Sequence, residues 1–140
     1  MGYATNVPIN PTSFGQVSIS ILRELYNRSS EPSLFPLGSV DLSPFREDKG
    51  FTEWLNECKG KSYLHSRTNP CFKLWHLSGA LESPSKDQAL MTFYECNQPT
   101  KPEINAALNN NLILTSKHSQ AIFESVGVKS NLVPLAFDDF

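Results

Sequence analysis

The chain has 140 residues, enough for one domain with a substantial hydrophobic core but too few for two domains of ordinary size. Apolar residues make up 39% and charged residues 19%, a balance typical of a globular protein and not of a disordered chain. The 12 basic and 14 acidic side chains give a net charge of −2, which argues against a broad nucleic-acid-binding surface, since that needs clustered basic residues.

The N-terminus MGYATNVPINP lacks the basic segment and long apolar run of a signal peptide, and no apolar run approaches the ~18–20 residues of a membrane span. We therefore expect a cytoplasmic protein with no membrane span. The three cysteines, Cys58, Cys71 and Cys96, form no CxxC pair. Their number and spacing disfavour a disulfide framework and a metal site, and predict buried free thiols in a reducing compartment.

The first forty residues predict a strand, a helix and a second strand. Residues 3–7 form an apolar, β-prone run that Pro8 and Pro11 end in a loop. Residues 16–27 carry apolar side chains at helical spacing, and Ser13 precedes Gln16 by three positions, as in a capping box. Residues 33–37 form the second strand and complete a βαβ unit.

The turn before this helix, Ser13–Gly15, has two interpretations. Free backbone N–H groups at a helix N-terminus favour an anion such as a phosphate. Because the turn has one glycine and no GxGxxG or Walker motif, the alternative is a capped helix whose glycine permits close packing.

The middle of the chain predicts a second helix and a third strand. Residues 51–58 place apolar side chains at i, i+3, i+4 and i+7, the pattern of one buried helical face. Residues 62–69 are polar and predict a connection in which His65 is solvated. Residues 71–77 have a buried-strand pattern with His76 near the carboxyl end, where ligands bind open α/β sheets. A histidine there can serve as a base near neutral pH, and the alternative is a structural, hydrogen-bonded histidine.

Residues 90–140 alternate strand, helix, strand, helix and strand, with Glu95 at the carboxyl end of the first strand. Thr100 and Glu103 have capping-box spacing, Ser116 is a natural cap for the next helix, and Gly127 fits the position after that helix. The strands are predicted at residues 91–94, 112–114 and 132–135. Together the elements predict a single α/β domain over residues 1–140: a Rossmann-like, three-layer fold with a mostly parallel sheet flanked by helices.

Several segments, taken in order, resemble the N-terminal domain of a GT-B-type retaining glycosyltransferase that uses a nucleotide sugar. NPTSFG followed by GQVSISILREL looks like the first βα turn of that family, and KLWHLSG looks like the strand whose end often carries an acceptor-site histidine. FYECNQPTKPEIN, TSKHSQAIFESVGV and VPLAFDDF look like its run into the interdomain linker, with residues 134–140 as the start of that linker.

The resemblance implies roles for individual residues. The backbone around Ser13, Phe14 and Gly15 would approach the donor phosphates or the acceptor. His76 would be a base or an acceptor contact, and Glu95 would line the cleft or hold the following loop. A carboxylate at a strand end can instead cap a neighbouring helix, so that alternative stays open for Glu95.

The resemblance also places Ser116 and Lys117 at the cleft edge. An enzyme of this family continues into a second Rossmann-like domain that binds most of the nucleotide sugar. We therefore expect weak or no activity from this chain alone, with no tightly bound cofactor and a nucleotide sugar as donor if it is active. The expected partners are a sugar or glycan acceptor and either a donor-domain protein or a second copy, with Phe137 and Phe140 as candidate apolar contacts.

The alternative function is a non-catalytic Rossmann-like binding or regulatory module that acts through a protein partner. A response-regulator-like domain would need clustered acids at its first and third strand ends, and these are absent from the sequence. A flavodoxin-like domain would need a denser Ser/Thr/Gly run than TSFG after its first strand.

Overall fold

The computed structural model describes residues 2–45 and 48–136. Within them the chain forms six strands: β1 Ala4–Pro8, β2 Ser33–Leu37, β3 Cys71–Leu74, β4 Gln88–Thr92, β5 Asn111–Leu114 and β6 Asn131–Leu132. The α-helices of the same residues are α1 Ser13–Asn27, α2 Lys49–Lys61, α3 Lys101–Leu108 and α4 Lys117–Ser125. The end of the linker-like segment, with Phe137 and Phe140, lies outside the described residues.

The strands form one sheet in the order β2-β1-β3-β4-β5-β6, and each pair of neighbours is parallel. This confirms the predicted α/β class and the single Rossmann-like arrangement. The strand order reverses between β1 and β3, because β2 lies on one side of β1 and all later strands lie on the other. Such a switch point leaves a crevice at the carboxyl ends of the two strands.

Helices pack against both faces of the sheet. Val7, Leu74 and Met91 point to one face, where they pack in a cluster with side chains of α1 and α2. Leu90 and Leu112 point to the opposite face and pack with side chains of α3 and α4. This alternation follows from the two-residue period of a strand, and burial on both faces explains why the parallel strands are so apolar.

Three of the predicted helix signals are confirmed. Thr100 accepts a hydrogen bond from the backbone of Glu103, whose carboxylate in turn accepts one from the backbone of Thr100. Ser116 caps α4 by accepting from the backbone N–H of Ser119. Gly127 follows the α4 C-cap with φ +83°, a left-handed conformation that glycine adopts without strain.

The capping box predicted at Ser13 and Gln16 is wrong. The N-cap of α1 is Thr12, and its hydroxyl donates to the side chain of Asn10 instead of accepting from the helix. The amide of Gln16 donates to the carbonyl of Pro11, so it does not reach back to Ser13. The helix therefore starts three residues earlier than predicted and has no side-chain cap.

Three strands also differ clearly from the prediction, and the first is β4, which runs over Gln88–Thr92 instead of residues 91–94. β3 ends at Leu74 because the chain leaves the sheet into a 3₁₀ turn over Leu77–Gly79. β6 is limited to Asn131–Leu132, since it is an edge strand that pairs only with β5. The last bond of this pairing runs from the N–H of Val133 to the carbonyl of Leu114.

Gly15 supports the close-packing interpretation of the α1 turn. A Cβ at this position would collide with the carbonyl and side-chain oxygens of Asn10. The loop after β1 therefore crosses directly over the first turn of α1, and only glycine leaves room for it.

We predict that Gly15→Ala lowers the free energy of unfolding by about 1–3 kcal/mol, the usual cost of overpacking a tight site. The matched control is Gly60→Ala in α2, where an added Cβ meets no atom within 4 Å. That variant should gain roughly 0.5–1 kcal/mol from helix propensity. Urea unfolding of both variants measures the difference, and equal effects would contradict the packing of Asn10 on Gly15.

The cysteines are all free, but the prediction that all three are buried is wrong for one of them. Cys58 and Cys71 are buried, whereas Cys96 is exposed. Burial raises the pKa of both the Cys58 and the Cys71 thiol to about 11.

We predict that a thiol reagent added to the native protein at pH 8 modifies Cys96 alone. Cys58 and Cys71 should react only after unfolding, because they are both inaccessible and protonated. Mass spectrometry of the labelled peptides gives the measurement, and rapid native labelling at Cys58 or Cys71 would show that their helix or strand opens readily.

Candidate functional site

A cavity of about 450 Å³ opens beside the carboxyl ends of β3 and β4 and the first turn of α1. We call it the edge cavity. It is lined by Ser13 and Phe14, by residues 76–78 and 92–96, and by Glu103. The structure therefore brings together Ser13, Phe14, His76 and Glu95, four of the residues singled out from the sequence.

Aromatic rings form the wall of the edge cavity. Phe14 and Phe93 are stacked, with ring centroids 4.5 Å apart and planes inclined by 21°. His76 meets Phe14 edge-on at 4.5 Å and Trp75 at 5.2 Å, and Phe14 and Trp75 are themselves neighbours, with centroids 5.9 Å apart. The imidazole thus packs against a pair of adjacent aromatic side chains, which restrict its orientation.

His76 is exposed, and its ring nitrogens make no hydrogen bond to another described residue. The alternative of a structural, hydrogen-bonded histidine therefore finds no partner among residues 2–45 and 48–136. An oriented imidazole with free nitrogens can accept or donate a proton at a bound molecule.

The two carboxylates of the edge cavity differ in their bonding. Glu103 accepts from the backbone N–H of Thr100 at 2.7 Å and from its hydroxyl at 3.0 Å, and Tyr94 donates to it at 3.4 Å. Glu95 is exposed and makes no hydrogen bond to the rest of the described chain. The helix-capping carboxylate is therefore Glu103, which leaves Glu95 available to a ligand.

The hydroxyl of Tyr94 is also affected by this arrangement. Desolvation, followed by the nearby charge of Glu103, raises its pKa. Tyr94 packs edge-on against Phe123 at 4.9 Å, so it links the edge cavity to the core beneath α4. It stays a neutral hydrogen-bonding group at physiological pH.

The first turn of α1 borders the edge cavity. The Thr12 N-cap makes no side-chain bond to its backbone N–H groups, and this turn contains no acidic residue. The N–H groups of Ser13, Phe14 and Gly15 are not used by the helix itself, which makes the turn electropositive. Ser13 and Phe14 line the cavity, whereas Gly15 is buried against Asn10.

Ser116 and Lys117 lie outside the edge cavity. They follow the carboxyl end of β5, at the same edge of the sheet, and both are exposed. The hydroxyl of Ser116 is occupied as the cap of α4. The sequence reasoning missed Phe93, Ser78 and Cys96, which line the cavity because they also follow β3 and β4.

The prediction that His65 is solvated is wrong. The ring is partly buried, and its Nε2 lies 2.9 Å from the hydroxyl oxygen of Ser85. It also meets Phe35 edge-on at 5.4 Å. Since Ser85 is buried, this pair joins two loops and offers no open nucleophile.

A second, larger cavity of about 750 Å³ lies on the α1 side of the sheet, between α1 and residues 133–136. We call it the sheet groove. Its floor comes from Thr5, Phe72, Met91 and Ile113, on four adjacent strands. It is mainly apolar and contains none of the residues predicted from the sequence to be functional.

No protein-family model matches the chain, and neither a curated protein nor a solved structure does. Among the described residues, no group of three or more His, Cys, Asp and Glu side chains is placed to hold a metal ion. In the same part of the chain, every helix is too short or too polar to cross a membrane.

Proposed function

We propose that this chain is the acceptor-binding domain of an enzyme that transfers a sugar from a nucleotide sugar. The observation that carries the proposal is the edge cavity, where an aromatic wall, a free imidazole and a free carboxylate converge at the switch point of a parallel sheet. The order of the sequence motifs supports the same family of reactions.

The edge cavity has the chemistry that a sugar requires. Its volume lies within the roughly 300–1,000 Å³ of small-molecule sites, and it combines apolar walls with a few polar groups. The half-buried ring of Phe93, which stacks on the buried Phe14, provides a surface for the C–H face of a pyranose ring, while Glu95 can accept hydrogen bonds from its hydroxyl groups. His76 is placed to contact the acceptor hydroxyl or to take its proton.

The charges of the edge cavity suit a neutral acceptor better than a diphosphate. Glu95 and Glu103 both line it, and its described lining contains no lysine or arginine. The first turn of α1 offers a favourable position for one phosphate group but no cationic side chain. The donor therefore needs further basic groups, which we assign to a separate donor-binding domain.

We predict that the chain alone binds UDP-glucose and GDP-mannose with dissociation constants above about 1 mM. The favourable free energy of binding is then less than roughly 4 kcal/mol. Isothermal titration calorimetry at low salt provides the measurement. Micromolar binding of either nucleotide, together with sugar transfer by this chain, would overturn the assignment of the donor site to another domain.

We predict that His76→Ala and Glu95→Gln each weaken binding of glucose or N-acetylglucosamine by about tenfold, because a hydrogen bond to a charged or oriented group is lost. Lys117→Ala is the matched control, since Lys117 is exposed at the same sheet edge but outside the edge cavity. Saturation-transfer NMR compares the variants. Sugar binding that is unchanged in both cavity variants would remove the edge cavity as the acceptor site.

The alternative is a non-catalytic module that acts through a second copy of the chain. The sheet groove favours it, because parallel sheets are normally covered on both faces. Val133 and Leu135 are 47% and 51% exposed at its border, where an apolar surface would gain from contact with another chain.

We predict that self-association through the sheet groove makes the mean mass rise with concentration, and that Leu135→Asp abolishes the rise. Leu108→Asp is the control, because Leu108 is 63% exposed on α3 and does not line the groove. Multi-angle light scattering between about 0.01 and 1 mM covers the usual range of weak association. A constant monomer mass for the unmodified chain would exclude this alternative.

A further inference from the structure

The loop after β3 carries His76. Buried polar side chains of the sheet donate hydrogen bonds to the backbone of this loop. Lys73 on β3 is only 1% exposed, yet its Nζ donates to the carbonyl of Gly79 at 2.8 Å and to that of Glu82 at 2.6 Å. Gln88 on β4 is 5% exposed and donates to the carbonyl of Ala80 at 2.8 Å. The carbonyls of residues 79, 80 and 82 are thus satisfied by side chains from the sheet.

Asn110 completes this set. Its side-chain oxygen accepts from Gln88 at 2.8 Å, and its amide donates to the carbonyl of Ala106 at 2.7 Å. The three side chains of Lys73, Gln88 and Asn110, which we call the loop bracket, connect β3, β4 and the end of α3 to one loop.

The charge of Lys73 is costly in this position. Burial lowers the pKa of its ammonium group, and none of the ion pairs in the described part of the chain includes it. An apolar residue would fill the same space without this desolvation cost. What the ammonium provides instead is two hydrogen bonds to backbone carbonyls of the loop after β3.

The loop bracket is connected to His76 through packing. The Cα of Gly79 lies against the indole of Trp75, since a Cβ there would be 2.8 Å from its Cδ1. Trp75 in turn contacts the imidazole of His76 and the neighbouring ring of Phe14, which also contacts that imidazole. Fixing the carbonyl of Gly79 therefore fixes the ring that orients His76.

We propose that Lys73 is a positioning residue: through Gly79 and Trp75 it sets the orientation of His76 at the mouth of the edge cavity. The consequence for sugar binding rests on the proposed function, whereas the orientation of His76 does not. The experiment below measures the orientation of His76 and the affinity for sugar separately.

The test is Lys73→Met, which keeps an unbranched apolar stem but lacks the ammonium group and so removes both hydrogen bonds. The amides of Gly79 and Ala80, which bond to His76 and Leu77 in the 3₁₀ turn, should exchange with solvent roughly tenfold faster. The ring-proton NMR signals of His76 should shift, because its distances to Trp75 and Phe14 change. The affinity for glucose or N-acetylglucosamine should also fall in this variant.

The control is Leu55→Ala on α2, which lowers global stability at a buried site outside the loop bracket. It should leave the His76 signals unchanged. Two results would overturn the positioning role. One is that Lys73→Met changes neither the amide exchange of Gly79 and Ala80 nor the NMR signals of His76. The other is that it speeds amide exchange evenly over the sheet, as is expected of Leu55→Ala.

Gly79→Ala keeps the proposal testable if Lys73→Met does not fold. Its Cβ must displace the Trp75 ring, so the His76 signals should shift while the donors of Lys73 remain. Unchanged His76 signals in this variant would show that the Trp75 ring does not transmit a change at Gly79 to His76, and this would overturn the proposal. If the His76 signals shift as expected but the unmodified chain binds no sugar, the positioning role stands and the proposed function fails.

Discussion

The structure depends on one topological constraint, the reversal of strand order between β1 and β3. Because the chain runs from β1 towards β2 on one side and from β3 towards β4 on the other, the connections diverge at the carboxyl ends of these strands. The first turn of α1 and the loop after β3 become the two sides of an open crevice. Phe14 comes from the first side and His76 from the second, and their rings meet across it at 4.5 Å.

The edge cavity and the sheet groove differ in the physical chemistry of their surfaces. The edge cavity has two carboxylates, an imidazole and a helix N-terminus around aromatic rings, so it offers hydrogen bonds in fixed directions. The sheet groove offers mainly apolar contact, which is not directional. A site for chemistry needs the first kind of surface, and this is why the proposed function rests on the edge cavity.

Much of the fold could be predicted from the sequence because its signals are local. The capping box of Thr100 and Glu103, the Ser116 cap and the glycine at 127 each specify a helix end through neighbouring residues alone. The box at Ser13 failed because a different local contact took its place: Asn10, in the preceding loop, packs over Gly15 and accepts from the hydroxyl of Thr12.

The candidate site was predicted only in part. His76 and Glu95 could be found because strand ends are recognisable in a sequence and carry ligands in open α/β sheets. Whether Glu95 or Glu103 caps α3 depends on the path of the chain between them. The role of Lys73 could not be seen, because a lysine within a strand pattern gives no sign that its ammonium group reaches a loop carbonyl six residues ahead.

The central claim is that the carboxyl edge of the sheet, and not its face, binds a sugar. A residue-resolved map of amide chemical shifts during titration with N-acetylglucosamine tests this most directly. The account predicts that the largest shifts fall on residues 13–14, 76–78 and 92–96, with residues 133–136 unchanged. Shifts confined to the sheet groove, or a spectrum that does not respond to the sugar, would contradict it.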